Sequence, residues 1–308
     1  MEKVTVFAPA TCANVAVGFD ILGFALNAIG DSISIERIDE PKVVITEITG
    51  TNENLPLDPV LNVSGAVLLK LIADHQLNFG FELSIHKGIP LGSGMGGSAA
   101  SSVGALVGAN ALLDSPLSKN ELLSYALLGE KVASGSAHGD NVTPCLFGGL
   151  TLTRSLDPVD VINIPVPEGV FAVILHPHYR LDTRLSRSVL KKDLPLADFV
   201  AQSANLAGFM AGCYSQDISL IKRSLKDVLI EPRRASLLPG FFPVKRAALD
   251  NGAIGCSISG SGPSIFAWVE GQEHADKVRR EMVTALESEG LQCDSWVSEI
   301  NRQGAFIL

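Results

Sequence analysis

Hydrophobic and polar positions alternate at the start of the chain, and Met1-Glu2-Lys3-Val4-Thr5-Val6-Phe7 predicts a strand. The same two-residue period returns in Asp31–Ile38 and Val43–Ile48, with Asp39-Glu40-Pro41 as the turn between them, and again in Phe81–Ile85. Before that last strand, Val60, Val63, Val67, Leu68, Leu71 and Ile72 fall at helical spacing and predict an amphipathic helix over 60–77. Ser98 to about Leu113 reads as a helix of small residues, which lets neighbouring backbones approach closely and predicts a central, buried position. Leu117–Val132 is a further helix, with Ser118 as N-cap and Glu121 completing a capping box.

Gly148-Gly149 introduces two more strands, Leu150–Arg154 and Val159–Val166. Pro165-Val166-Pro167-Glu168-Gly169 is the candidate linker, dividing the chain into domains of 1–166 and 167–308. Beyond it come an apolar strand, Val170–Leu175, and helical stretches to about residue 250. Strands Ala253–Ser259 and Ser264–Val269, a helix over 272–289 and a last strand Leu291–Ile300 complete the chain. This order of one strand, helices, two strands, helix and strand is that of an α+β domain of ferredoxin-like type.

The length of 308 residues accommodates two domains, and a composition 46% hydrophobic and 19% charged supports a buried core. With 24 Lys and Arg against 33 Asp and Glu, the formal charge of −9 excludes a general binder of nucleic acid or anionic membrane. Cys12, Cys145, Cys213, Cys256 and Cys293 are scattered without zinc spacing, as expected of free thiols in a reducing compartment. The N-terminus lacks a signal peptide's apolar core, and the apolar stretch at 99–113 is broken by serine, glycine and asparagine. A cytoplasmic location is expected.

The chemistry centres on Pro90-Leu91-Gly92-Ser93-Gly94-Met95-Gly96-Gly97-Ser98-Ala99-Ala100, between a strand and a helix. Glycines let successive N–H groups aim at one ligand, and the following helix adds its positive end, which together make an anion site. Gly92, Gly94 and Gly97 form G-x-G-x-x-G, but no strand and acidic residue follow as a dinucleotide fold requires, and no Gly-Lys-Ser/Thr makes a Walker loop. From Lys87 to Lys119 there is no basic residue, so a polyphosphate here is expected to depend on amides, a helix end and a metal rather than a cradling lysine. Magnesium takes oxygen ligands, and Ser98 and Glu130 are the candidates.

Three further segments hold grouped polar residues. Gly129-Glu130-Lys131 leads through a polar loop to His138-Gly139-Asp140-Asn141. Ser259-Gly260-Ser261-Gly262-Pro263 is a tight turn between apolar strands. Ala8 to Asp20 reads as an irregular loop, with Asn14 and Asp20 in an apolar setting where an unpaired carboxylate is costly, so Asp20 requires a partner.

In this order the four pieces resemble the GHMP small-molecule kinases, over nearly the whole chain. The loop at 90–100 is similar to their signature Pro-x-x-x-Gly-Leu-Gly-Ser-Ser-Ala-Ala, with Met95 for the Leu and Gly97 for the first Ser. Within the family, Pro9-Ala10-Thr11-Cys12-Ala13-Asn14, Gly18-Phe19-Asp20, His138-Gly139-Asp140-Asn141, Thr183 with Arg187, and Glu231-Pro232-Arg233-Arg234 resemble the branch that acts on L-homoserine.

The resemblance implies a two-domain α+β fold, with an N-terminal domain like ribosomal protein S5 and a ferredoxin-like C-terminal domain. It implies ATP-dependent phosphorylation of L-homoserine to O-phospho-L-homoserine, a step toward threonine, with Mg2+ and with a homodimer as the family expectation. Arg187 and Arg234 would then hold the substrate carboxylate and Asp20 its ammonium, while Asn14, His138 and Thr183 complete the pocket and Asn141 holds the reacting hydroxyl. Asn62 and Val63 would lie near adenine, Pro90 to Ala100 around the phosphates, and Ser98 and Glu130 at the metal. The alternatives are another kinase of the superfamily, acting on a sugar or a mevalonate-like acid, and a non-catalytic nucleotide-binding relative.

Overall fold

The computed structural model describes residues 3–134, 138–190 and 193–308. The first unit runs β1 (Lys3–Ala13), β2 (Leu22–Ile38), β3 (Val43–Thr49), α1 (Val63–His75), β4 (Gly80–His86), α2 (Gly97–Ala111), α3 (Lys119–Ser134), α4 (Gly139–Phe147), β5 (Leu150–Leu156) and β6 (Val159–Ile164). The second runs β7 (Val170–Pro177), α5 (Thr183–Ser188), α6 (Leu196–Ser215), α7 (Ile218–Ser224), α8 (Glu231–Arg234), α9 (Phe241–Asp250), β8 (Gly255–Ile258), β9 (Ile265–Glu270), α10 (Gln272–Glu287) and β10 (Cys293–Glu299). The short β11 (Phe306–Ile307) then returns to pair with β1, so the last residues belong to the first sheet. The result is an α+β fold with one sheet ordered β11-β1-β2-β4-β3, extended by β5 and β6, and a second, antiparallel sheet ordered β10-β7-β9-β8.

The expected irregular loop from Ala8 is mostly strand. After a register shift between Pro9 and Thr11 the ladder resumes, pairing Thr11 with Ala25 and Ala13 with Gly23, so that only residues 14–21 lie outside it. Ala8 to Ala13 and Leu22 to Leu26 are buried on both faces, which removes the polar alternation by which a strand is recognised. Helix α1 begins at Val63 rather than 60, because Asn62 caps it by accepting from Ser64 N. The capping box of α3 forms as expected, with Ser118 N donating to Glu121 Oε2 at 2.8 Å and Glu121 N to Ser118 Oγ at 3.4 Å.

Helix α2 lies across β1 and β2 at the centre of the first unit. A Cβ on Gly104 would come 2.3 Å from Ile33 Cδ1, and one on Gly108 would come 2.4 Å from Ile35 Cγ2. The small residues thus bring the helix against the strands, fixing where its N-terminus opens. The core continues from one sheet to the other through aromatic rings. Phe24 on β2 meets Phe266 and Trp268 on β9 edge-on at 5.7 and 5.6 Å, and Phe209 on α6 meets Trp268 at 5.6 Å. Replacing Phe24 by Ala should destabilise the protein by about 3–5 kcal/mol in urea unfolding, the usual cost of deleting a buried ring; a loss below about 1 kcal/mol would show that these rings do not hold the two sheets together.

Candidate active site

A cavity of about 670 Å³ lies between the two units. One wall is the loop from β4 to α2. There Gly92, Gly94 and Gly96 have φ of 67°, 75° and 68°, the left-handed region open to glycine. A Cβ on Gly94 would stand 2.6 Å from the carbonyl oxygens of Ser259 and Gly262, and one on Gly96 would stand 2.0 Å from Thr11 Oγ1. Gly97 differs: its φ is ordinary, and an added Cβ would meet nothing closer than Ile89 Cγ2 at 3.6 Å, so the serine usual in the family would fit here.

Pro90 to Gly94 and Gly96 to Ser98 line the cavity, whereas Met95, Ala99 and Ala100 are fully buried in the core and serve to seat the loop and α2. Ser93 Oγ is buried with no hydrogen-bond partner among the described residues, a polar group of the kind a phosphate would satisfy.

Ser98, at the start of α2, donates to Glu130 Oε2 on α3 at 3.1 Å. A hydroxyl and a carboxylate beside an anion loop are hard oxygen donors suited to magnesium held jointly with phosphate. Among the described residues no group of three or more His, Cys, Asp or Glu could hold a metal without such help.

Lys87, the last cation before the loop, is folded back beneath it. Lys87 is 4% exposed and its ammonium lies under α2, bound to Asp31, to Gly97 O at 3.1 Å and to Ser101 Oγ at 2.8 Å. Asp31 also accepts from Gly88 N and Ile89 N, and burial pushes its carboxyl up against the pull of Lys87.

At the other end of the cavity Asp20 and Arg187 are paired, with Arg187 Nη2 at 2.7 Å from Asp20 Oδ1 and Nη1 at 3.2 Å from Oδ2. This answers the requirement that Asp20 have a partner, and the residue expected at the substrate ammonium holds one of those expected at its carboxylate. His138 Nδ1 stands 3.6 Å from Asp20 Oδ2, and burial lowers its pKa although Asp20 opposes the shift. Arg234 is 2% exposed and donates to Ser186 O at 3.1 Å and to Gly260 O at 3.0 Å. Burial, then Arg187, lowers the Arg234 pKa to about 10. Phe19, not singled out from the sequence, lies under both guanidinium groups at 5.5 and 5.1 Å from its ring centre.

Asn14 braces this end, accepting from Asp20 N at 3.0 Å and donating to Gly260 O at 2.8 Å. Asn141 Oδ1 accepts from Thr11 Oγ1 at 2.8 Å, which orients its amide and leaves Nδ2 as the donor. Asn62, besides capping α1, donates to Pro56 O at 3.0 Å, and with Val63 it lines the far end of the cavity. The side chain of Thr183 and residues 135–137 of the polar loop lie outside the described residues.

Lys87, Thr11, Phe19, Asp140, Arg180 and Arg184 were not marked as site residues by sequence reasoning. Thr11, Phe19 and Asp140 lie within motifs that carry the family resemblance and Lys87 is the last cation before the glycine loop, whereas Arg180 and Arg184 left no signal there. Asp227 is a further one: it accepts from the N–H groups of Leu229, Ile230 and Glu231 and so shapes the turn that presents Arg234.

The fold is that of a GHMP kinase. The family model "GHMP kinases N terminal domain" matches residues 62–149, and "GHMP kinases C terminal" matches 209–288. The chain is 49% identical over 308 residues to a homoserine kinase of Xanthomonas campestris pv. campestris, covering 100% of this chain and 95% of that one. It is 46% identical to one of Chlorobium phaeobacteroides, with full coverage of both. A crystal structure of homoserine kinase from Cytophaga hutchinsonii superposes with a TM-score of 0.97 at 45% identity, covering 100% of this chain and 98% of that one. The chain belongs to the homoserine kinase family. A mevalonate kinase structure at 13% identity and TM-score 0.74 shares the fold.

Asp140, which opens α4 beside Asn141, is buried, and burial together with Asp20 and Glu130 pushes its carboxyl up to about 7. The native state therefore keeps a proton that the unfolded chain releases near pH 4. The stability this contributes is full below that pH and is lost as pH rises toward 7. Asp140→Asn has no such dependence, so its apparent Tm should gain on the parent's between about pH 5 and pH 8; a difference constant across that range would show that Asp140 does not titrate there.

Proposed function

We propose that the protein transfers the terminal phosphoryl group of ATP to the side-chain hydroxyl of L-homoserine, giving O-phospho-L-homoserine on the way to threonine. The observation that carries this is one cavity with a glycine-built anion loop at one end and Asp20, Arg187 and Arg234 at the other. The identity of 46–49% to homoserine kinases along the chain supports it. A zwitterionic amino acid needs a carboxylate for its ammonium and a guanidinium for its own carboxylate, and the Asp20–Arg187 pair supplies both when it opens. A mevalonate-like acid has no ammonium to match Asp20, and a sugar has no carboxylate for the arginines.

Asn141 positions the accepting hydroxyl through Nδ2, with its amide oriented by Thr11. The amides of 92–98 face the transferred group, where fixed dipoles stabilise developing charge. Ser98 and Glu130 would hold magnesium together with the phosphates, where it would supply charge neutralisation. Because phosphoryl transfer proceeds through a loose transition state, alignment suffices and a dedicated base is not obligatory. We assign residues 1–166 to nucleotide binding and 167–308 to completing the substrate site.

A cytoplasmic location accords with five free cysteines and with the absence, among the described residues, of any helix long and apolar enough to cross a membrane. A homodimer would cover the apolar start of α6, where Leu196, Phe199 and Val200 are 76%, 56% and 58% exposed. Sedimentation equilibrium should return a two-chain mass, and Phe199→Asp should halve it; a monomeric parent removes the dimer.

ADP release should require L-homoserine and fail with mevalonate or galactose, and no turnover with homoserine and Mg-ATP would end this reading. Asp20→Asn should raise the homoserine KM by about tenfold or more with kcat largely retained, whereas a collapse of kcat at unchanged KM would make Asp20 the base.

A further inference from the structure

The glycine loop has its lysine below it, not in front. Lys87 is occupied by Asp31, Gly97 O and Ser101 Oγ, so its ammonium serves the seat of α2. On the open side of the loop the cation comes from the other unit. Arg180 follows β7, and its side chain crosses the cleft to rest on Gly92, where an added Cβ would stand 3.1 Å from Arg180 Cγ and 3.3 Å from Nε. Gly92 is exposed with φ of 67°, so the absence of a side chain there both allows the turn and admits the arginine.

Arg180 Nη1 lies 3.0 Å from both carboxylate oxygens of Glu53, which sits between β3 and α1. Both residues line the cavity, as does Arg184 at the start of α5. The Arg180 and Glu53 side chains are 68% and 48% exposed, and so open a pair is weak and readily exchanged. A polyphosphate on the loop amides would meet the same guanidinium with more charge and with oxygens matched to its fork.

We propose that Arg180 is a polyphosphate-binding residue supplied to the glycine loop from across the cleft, and that Glu53 is the carboxylate the polyphosphate displaces from it. This rests on the kinase reading only in taking ATP as the natural polyphosphate. The bound state then ties the second unit to the nucleotide through one side chain, while homoserine is held by other residues.

Calorimetric titration of the full chain with sodium tripolyphosphate, and separately with Mg-ATP, tests this. Arg180→Gln should weaken both by about tenfold, as loss of a charge-assisted bond implies, with Tm and homoserine KM unchanged. Arg180→Lys should fall between. Glu53→Gln should bind both about threefold tighter, since the competing carboxylate is gone.

Affinities for Arg180→Gln within about twofold of the parent, or a Tm that falls with affinity, would overturn the role of Arg180. Weaker binding by Glu53→Gln would overturn the displacement, as would a parent chain that binds neither probe. Arg180-dependent tripolyphosphate binding in a chain that does not phosphorylate homoserine would uphold this assignment while ending the kinase reading.

Discussion

Ser259 Oγ donates to Gly94 O at 2.8 Å and Ser264 N to Ser93 O at 3.1 Å, so the turn between β8 and β9 is fastened directly to the phosphate loop. The same turn accepts Asn14 Nδ2 and Arg234 Nη1 on Gly260 O, and Ser186 Oγ on Ser261 O at 2.7 Å, while Gly260 N donates to Ala13 O at 3.2 Å. Anion loop, substrate loop and arginine-bearing helices thus share one scaffold of a few residues. Each bond is worth only about 0.5–1.5 kcal/mol net, but together they fix the relative positions of groups from four parts of the chain. A site acting by alignment, as proposed, would need that precision more than a reactive side chain.

The same network shows how a chain of charge −9 can accommodate an anionic polyphosphate and a zwitterion. Four cations of the site already have oxygen partners: Lys87 has Asp31, Arg187 has Asp20, Arg180 has Glu53, and Arg234 has two carbonyls. Local pairing, not net charge, governs the site, because screening confines exposed charges to about 10 Å or less. A zwitterion suits the Asp20–Arg187 pair for this reason. Opening the pair leaves no lone charge, since each partner acquires a new one of the opposite sign.

Much of the fold could be read from the sequence because local rules decided it. The small residues of α2 announce close packing that Gly104 and Gly108 deliver, and Ser118 with Glu121 forms the box its spacing implies. Ser98 and Glu130, paired in that reading, stand 3.1 Å apart. What could not be read depends on the chain folding back on itself. Ala8–Ala13 loses its alternation by being buried on both faces, and Arg180 reaches Gly92 from 88 positions further along the chain. Asn14 and Asn62 show a subtler limit: each lines the cavity, yet much of its amide is spent on the backbone. The family resemblance names such residues without distinguishing support from contact.

The loop that bears Asp20 carries this further. Asn14, Val15 and Ala16 have φ of 72°, 45° and 56°, and Asp20 has 63°, left-handed conformations that cost non-glycine residues about 1–3 kcal/mol each in the worst cases. Val15 is the hardest to accommodate, since its branched Cβ crowds its own carbonyl. The run persists because Asn14 ties one end to Asp20 N and the other to Gly260, while Val15, Ala16 and Val17 are buried in the core. Strain held in this way leaves the Asp20 carboxylate little freedom to turn away from Arg187 when no ligand is between them. The Asp20 side of the pair is therefore set by the fold, and opening it for a substrate's two charges falls to the Arg187 side chain rather than to the loop.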